Sequence, residues 1–485
     1  MTPSAQNLKV LFLASEATPL VKVGGLADVA GALPAALLKC THNIDIRVML
    51  PFHGKIDRSR LKVEPVTTVA VPYGNGLIGG QVFETKVKGV KFYLVSGEPI
   101  LPGAPVYTSD AAVDGIKYTF FSLAALNFVR KINWIPHIIH AHDWHTAPAI
   151  YALRVKRFPN SFFENTASLL TVHNLPYLGV GAHTALQDFG LPPNRSGSLP
   201  EWASHMPLPL GLLTADHINT VSPTYAQEIL TPEFGSGLEE FLRGRRDKIS
   251  GILNGLDMIN WDPSSDPALA TNYTIGNLPE RRQNKSRLQK EVSLDENERT
   301  PLLAMITRLD NQKGVDLAID ALHKIAHLSW QTVILGTGDP ELEKKALQLE
   351  QDLPTKVRAI IQFDAKLARR IYGGADVIFV PSRYEPCGLT QMIGMRYGCV
   401  PIVRAVGGLR DTVKDYKAKN GTGFVFEEAS GDSLARATIR TFDVYSDQRR
   451  WRGMQLRGMK KDFSWRISAE KYYELYKKLA TLKKH

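Results

Sequence analysis

Short apolar runs rich in β-branched residues recur along the whole chain, separated by longer stretches with helical spacing. In the first half they cover residues 10–14, 46–50, 91–95, 137–140, 169–173 and 217–221. The second half repeats the rhythm at residues 302–307, 332–335, 358–362, 377–380, 400–404 and 423–426. Each run is nearly continuous in hydrophobicity and is followed by Gly, Pro, Ser or Asp. That is how strands buried on both faces read when helices serve as crossovers. The pattern predicts an α/β fold throughout, with parallel sheets.

Between residues 257 and 300 the apolar pattern lapses into a polar stretch rich in Asn, Pro and Asp, and the strand rhythm restarts at Leu302. A change of domain is expected just before the lapse, at residues 248–255. This gives a first domain over 1–250, a second over 251–462 and a terminal helix within 463–485. The Gly- and Pro-rich segments 73–80 and 97–105 read as surface excursions of the first domain. No repeat of solenoid period and no low-complexity tract interrupts this plan.

At roughly 150 residues per domain, 485 residues suit two large domains or three ordinary ones. Hydrophobic residues at 44% and charged residues at 22% exclude a disordered or collagen-like chain. The three cysteines, Cys40, Cys387 and Cys399, are too few for a disulfide framework and fit a reducing cytoplasm. No apolar run approaches the ~18 residues of a membrane span, and no signal peptide is expected. The net charge of +11, from 59 Lys+Arg against 48 Asp+Glu, admits nucleic acid, a membrane surface or an anionic small molecule. Basic residues gather at Arg243, Arg245 and Arg246 and in the tail 477–485. No stacking aromatics are interleaved with them and no nucleic-acid motif is present, so neither nucleic acid nor membrane is expected as a partner.

Polar chemistry is concentrated where strands end. Lys22-Val23-Gly24-Gly25-Leu26-Ala27-Asp28 follows the first strand and leads into a helical pattern. Two glycines at such a turn let the backbone approach a ligand, the helix start offers N–H donors to an anion, and Lys22 adds a full charge. A tight turn with a surface lysine accounts for the same residues. His140-Ala141-His142-Asp143-Trp144-His145 closes another strand, with His140 and His142 on one face by the two-residue period. A zinc site is one reading. The plainer one puts Asp143 at the carboxyl edge of a parallel sheet, where α/β folds bind ligands. Thr171-Val172-His173-Asn174 ends the next strand on the same rim.

In the second half, Arg308 and Lys313 follow the first strand. Arginine offers a planar fork for phosphate oxygens and lysine a mobile point charge, and fixed cations stabilise a diphosphate as it leaves. Residues 334–339 (Ile-Leu-Gly-Thr-Gly-Asp) resemble a dinucleotide turn without its full spacing, and Gly407-Gly408 repeats the features of the first glycine pair. Pro381-Ser382-Arg383-Tyr384-Glu385-Pro386-Cys387-Gly388-Leu389-Thr390-Gln391 is the most specific piece. It joins a buried strand to a helix, with the amides of 386–390 expected at the helix start and Glu385 just before them. A carboxylate beside an anion cradle is unfavourable unless it meets sugar hydroxyls, which implies a sugar next to a phosphate. Cys387 reads as a packed thiol, since no His motif accompanies it.

These segments occur together, with Val221-Ser222-Pro223-Thr224 and Leu253-Asn254-Gly255-Leu256-Asp257, in an order that resembles bacterial glycogen synthase and plant starch synthase, from residue 8 to about residue 475. The resemblance implies the GT-B glycosyltransferase fold: two Rossmann-like parallel-sheet domains facing across a cleft, with a last helix, near residues 465–482, crossing back to the first. It implies a cytoplasmic enzyme that transfers glucose from ADP-glucose to the non-reducing end of an α-1,4-glucan, with retention and with no metal or other cofactor. Carried onto this sequence, Lys22 with Gly24 and Gly25 meets the donor's phosphates, near Asp28. Arg308 and Lys313 hold the diphosphate, Glu385 binds the transferred glucose, and His173 and Asp143 face the reacting sugar. Asn174 and Asn254 are polar neighbours, Cys387, Gly388, Leu389 and Thr390 adjoin the donor, and Phe363 stacks on adenine.

Two positions depart from that family's pattern. Pro209 stands where a lysine precedes Gly211, and Lys117-Tyr118-Thr119 replaces an Arg-Phe pair after Asp114, both on the expected acceptor side. A covalent intermediate would want a second carboxylate at ~5–5.5 Å across the bond. The motifs offer none, so same-face attack is expected, with the departing diphosphate taking the acceptor's proton. A UDP-sugar enzyme with Glu-x7-Glu is disfavoured, because Ile393 stands eight residues after Glu385. The remaining alternatives are a related transferase with another donor or acceptor, a non-catalytic glucan-binding homologue, and a metal-dependent hydrolase built on His140, His142 and His145.

Overall fold

The computed structural model describes residues 7–155 and 161–483, so the last two residues of the basic tail lie outside it. The chain divides into two compact units. One runs up to Gly255 and takes in the chain again from Trp465; the other is Leu256–Ser464.

The first unit is built on a nine-stranded sheet: β1 (Leu8–Leu13), β2 (Ile44–Pro51), β3 (Glu64–Tyr73), β4 (Gly76–Val87), β5 (Val90–Gly97), β6 (Ile138–His142), β7 (Ala167–Val172), β8 (His217–Thr220) and β9 (Ile249–Gly251). Their order is β3-β4-β5-β2-β1-β6-β7-β8-β9. From β5 to β9 every pairing is parallel. β3 and β4 pair antiparallel with each other, and β4 pairs antiparallel with β5, so the expectation of purely parallel sheets is corrected at this edge. The segment 73–80 is the turn and start of this hairpin rather than a loop excursion. The second half of β3 alternates between buried (Val69, Val71) and exposed residues, the pattern of a strand with one wet face. Ile249–Gly251, where the change of domain was expected to begin, is instead the edge strand of this sheet, paired to β8.

The helix Trp465–Leu482 closes the first unit. Trp465, Ala469, Tyr472, Tyr476 and Leu479 recur every three or four residues and join the core formed by the helix Gly25–Cys40 and one face of the sheet.

The second unit holds β10 (Leu302–Ile306), β11 (Gln331–Leu335), β12 (Val357–Ile360), β13 (Val377–Val380), β14 (Val400–Arg404) and β15 (Phe424–Phe426). The order β12-β11-β10-β13-β14-β15 is parallel throughout, the doubly wound arrangement. The polar stretch before β10 packs by ionic anchors. Buried Lys285 reaches Asp376 at 2.7 Å, Tyr445 at 3.0 Å and the Glu298 and Thr300 carbonyls at 2.9 and 2.7 Å. Such a segment carries little hydrophobic periodicity. In both sheets the strand order reverses beside the first strand, at β1/β6 and at β10/β13, and ligands bind at the carboxyl ends of strands at such points. Among the described residues no helix is long and apolar enough to cross a membrane.

Candidate active site

In the first unit, the turn after β1 runs into the helix Gly25–Cys40 at Gly24. The amides of Val23 and Gly24 donate to the carboxylate of buried Glu16, at 3.0 and 3.1 Å from Gly24. That corrects the expected cradle, because an internal carboxylate takes part of its donor set. A Cβ built at Gly25 meets nothing within 4 Å, so the turn is open there. Lys22 is half exposed and pairs with Asp28 at 2.7 Å. An exposed pair of this kind is weak and can exchange partners.

At the end of β6, Asp143 adopts φ = 55°, a left-handed conformation rare outside glycine. Its Oδ1 holds the position by accepting the amides of His173 (2.7 Å) and Asn174 (3.4 Å). Burial pushes the Asp143 carboxyl up to about 7 against the lowering effect of those two bonds. Burial also pushes His173 down to about 3, so its imidazole is neutral. Asp143, His173 and Asn174 are thus brought together, and the buried Asn174 Oδ1 and Asn254 Oδ1 have no partner among the described residues.

The three histidines of the 140–145 run do not converge. His140 bonds Tyr476 and Thr171, each at 2.7 Å, and His142 bonds His173 at 2.8 Å. His145 stacks with Trp144 and Tyr107. Among the described residues no group of His, Cys, Asp and Glu is arranged to hold a metal ion. The residues that depart from the family pattern are interior ones. Lys117 is 2% exposed, pairs with Asp114 at 2.6 Å and donates to the Val106 carbonyl at 2.7 Å, and Pro209 is buried in the helix Pro207–Thr214.

In the second unit, a cavity of about 80 Å³ opens at the carboxyl ends of β10 and β13, lined among others by Thr307, Lys313, Ser382, Glu385, Gly388 and Thr390. Leu389 also lines it. Buried Glu385 accepts from Lys313 Nζ at 2.6 Å and from Ser382 Oγ at 2.8 Å through Oε2. The two loops are laced together behind this pair. Arg383 grips Asp316 through both nitrogens (2.8 and 2.7 Å), and Gly314, at φ = 67°, passes so close to the Pro381 carbonyl that a Cβ would sit 2.3 Å from it. Arg308 is 62% exposed and braced by Asp310 at 3.1 Å.

The weaker glycine turns prove to be packing surfaces for this site. Gly408 N donates to the Glu385 carbonyl at 3.1 Å, and a Cβ on Gly407 would fall 2.0 Å from the same oxygen. Likewise, a Cβ on Gly336 would meet the Thr307 carbonyl at 1.8 Å. The helix after the motif begins only at Thr390, so residues 386–389 form a loop rather than a helical turn. Cys387 is buried and its carbonyl accepts from Gln391 at 3.1 Å. Phe363 is 90% exposed beyond the end of β12 and does not line the cavity. Sequence reasoning gave no role to Glu16 or Ser382; the one signal was a carboxylate interrupting the apolar run after β1.

Comparison with known proteins places these features in context. A family model described as the starch synthase catalytic domain matches residues 9–244, and one described as glycosyl transferases group 1 matches residues 286–453. Glycogen synthase of Geotalea daltonii is 40% identical over 479 residues, covering 97% of this chain and 98% of its own. Glycogen synthase of Lactococcus lactis is 39% identical over 482 residues, covering 97% and 100%. The catalytic domain of starch synthase IV from Arabidopsis thaliana, solved with ADP and acarbose, superposes with a TM-score of 0.89 at 32% identity, covering 98% of this chain and 100% of that one.

Proposed function

The chain belongs to the glycogen and starch synthase family of glycosyltransferases, and on that premise we propose that it transfers glucose from ADP-glucose to the 4-hydroxyl at the non-reducing end of an α-1,4-glucan, with retention at the anomeric carbon. The observation that carries the reading is the Lys313–Glu385 pair at the switch point of the second unit. A cation suited to phosphate beside a carboxylate suited to sugar hydroxyls matches the two halves of a nucleotide sugar. The ADP and acarbose of the starch synthase IV structure support an adenine nucleotide and a glucan as the two substrates.

In this reading Lys313 and Arg308 hold the diphosphate and stabilise the charge that develops as its bond to glucose breaks. Lys22, released from Asp28, meets the phosphates at the Gly24-Gly25 turn. Glu385 binds hydroxyls of the transferred glucose, Phe363 stacks on adenine, and Gly388, Leu389 and Thr390, with Cys387 behind them, border the donor. Asp143 and His173 face the reacting sugar, with the free oxygens of Asn174 and Asn254 as acceptors for hydroxyls. Asp143 is ill suited to act as a nucleophile, since its carboxyl is engaged by two backbone amides and held up to about 7. Same-face attack then follows, with the leaving diphosphate taking the acceptor's proton. No metal or cofactor is assigned a step, and activity is expected to survive chelators. The three free thiols fit a cytoplasmic setting.

The test is ADP release on incubation with ADP-glucose and glycogen, with UDP-glucose as competing donor and NMR of the product linkage. Absence of ADP release, or a β-linked product, would overturn the reading.

A further inference from the structure

The helix Trp465–Leu482 brings two tyrosine hydroxyls to the sheet of the first unit. Tyr476 Oη lies 2.7 Å from His140 Nδ1, and Tyr472 Oη accepts from Asn219 Nδ2 at 2.9 Å. Between them, Thr171 Oγ1 bonds His140 Nε2 at 2.7 Å and accepts from Asn219 Nδ2 at 3.4 Å. Ser250 Oγ continues the row by donating to Asn219 Oδ1 at 3.2 Å. His140, Thr171, Asn219 and Ser250 stand on four successive strands, β6 to β9, and the first three are fully buried. A polar row through an apolar layer is favourable only when its members are satisfied, and apolar residues would pack there at less risk. Its consequence lies at the His140 end.

His140 is pinned at both ring nitrogens. Its ring centroid is 4.1 Å from that of His142, and the Phe12 centroid is 4.3 Å from His142, so the His142 ring has little freedom to turn. His142 Nδ1 bonds His173 Nε2 at 2.8 Å, whereas His142 Nε2 is buried with no partner among the described residues. Burial holds His142 neutral, so one nitrogen carries its proton. A proton on Nε2 would bury an orphaned donor, the rarer and costlier defect. A proton on Nδ1 is bonded and leaves only an acceptor unfilled. His142 therefore donates to His173 Nε2, and His173, also neutral, must carry its own proton on Nδ1.

We propose that this terminal helix is a positioning element for His173: Tyr476 pins His140, His140 and Phe12 orient His142, and His142 fixes His173 as the Nδ1-protonated tautomer, a hydrogen-bond donor. The tautomer stands on the hydrogen-bond geometry and on the neutrality of the two buried rings; only its kinetic consequence rests on the reading of His173 as a contact of the reacting sugar.

The experiment uses full-length protein with histidine-selective 15N labelling. Long-range 1H–15N spectra are expected to show a protonated Nδ1 and an unprotonated Nε2 at His173. Tyr476→Phe, which removes one hydroxyl and keeps the ring, is expected to mix the His173 tautomers. It should lower kcat by up to ~10²-fold with KM for ADP-glucose unchanged. Leu479→Ala loosens the same helix without touching the polar row, and is expected to lower Tm while leaving the His173 spectrum and kcat in place. Protonation of wild-type His173 on Nε2, or a His173 spectrum indifferent to Tyr476→Phe, would sink the proposal. Mixed tautomers with undiminished turnover would uphold the positioning row and instead remove His173 from the sugar contacts.

Discussion

Lys313 Nζ lies 2.6 Å from Glu385 Oε2, and the two side chains come from loops at the carboxyl ends of different strands, β10 and β13. Glu385 is 9% exposed at its side chain and Lys313 20%, so each charge depends on the other. Removing one partner of such a pair leaves the other uncompensated. Lys313→Met is expected to cost about 3 kcal/mol in stability, and Glu385→Gln added to it should restore part of that loss. Turnover should not return in the double variant, because the proposed function gives both groups to the substrate. Urea denaturation and ADP release measured on the same preparations check this. Recovery of turnover along with stability would mean the pair is only structural.

Arg308 makes the opposite case. It is 62% exposed and its partners, Asp310 at 3.1 Å and Gln312 at 3.5 Å, are ordinary loop contacts. Exposed pairs are worth under ~1 kcal/mol, so Arg308→Ala should leave stability almost unchanged. By comparison with lost transition-state donors elsewhere, turnover should fall by ~10²–10³. Steady-state kinetics with ADP-glucose decide the point, and near-normal turnover would strike Arg308 from the diphosphate site.

The contrast between these two residues bears on what could be read in advance. Runs such as 377–380 and 302–306 mark parallel strands because both faces are covered, leaving no polar position to interrupt them. The β3–β4 hairpin escaped the same reasoning, since alternating exposure and internal glycines imitate a loop. At the site, Lys313 and Glu385 each stood out in their own segments, but their meeting depends on Arg383 gripping Asp316 and on the close pass of Gly314 beneath Pro381. Spacing along the chain does not encode such lacing. Glu16 shows the converse. The glycine turn it occupies had the composition of an anion site, and only the fold reveals that the chain supplies an anion of its own.

Acid lability follows from the buried imidazoles. Burial lowers His53 and His217 to about 4 and His173 to about 3, against about 6.5 in the unfolded chain. A depressed folded pKa contributes stability that is present above the unfolded value and is lost as pH falls through the folded one. Asp143 works the other way. Its carboxyl, raised to about 7, contributes stability below the unfolded value that disappears as pH rises through 7. His140, His142 and His145 are depressed too, so the imidazoles outnumber the one opposing carboxyl. The urea midpoint should therefore decline steadily as the solution is taken below about pH 6.5. His217→Gln removes one titrating group and should make that decline shallower. A midpoint insensitive to acid, or a variant with the wild-type slope, would contradict this account.

Lys117 and Asp114 form an interior ion pair in the first unit, 2.6 Å apart and 2% and 5% exposed at their side chains. The lysine also donates to the Pro105 and Val106 carbonyls, at 3.3 and 2.7 Å, and Asp114 Oδ2 accepts the Thr108 amide at 2.9 Å. The pair thus fastens the segment 105–108 to the helix Ala111–Lys131. Lys117→Met leaves a buried carboxylate without its cation and the Pro105 carbonyl without this donor, while the Val106 carbonyl keeps the Tyr118 hydroxyl, a loss expected to reach about 3–5 kcal/mol. The damage should be local to the first unit, because all these contacts lie within it. Hydrogen exchange followed by mass spectrometry should show faster exchange in peptides covering 105–131, with those of β10–β15 unchanged. Lys117→Arg, which keeps the charge but changes its shape, should recover only part of the protection, since a planar fork does not reproduce three bonds directed from one ammonium. Equal protection in Lys117→Met and wild type would show that this pair holds nothing in place.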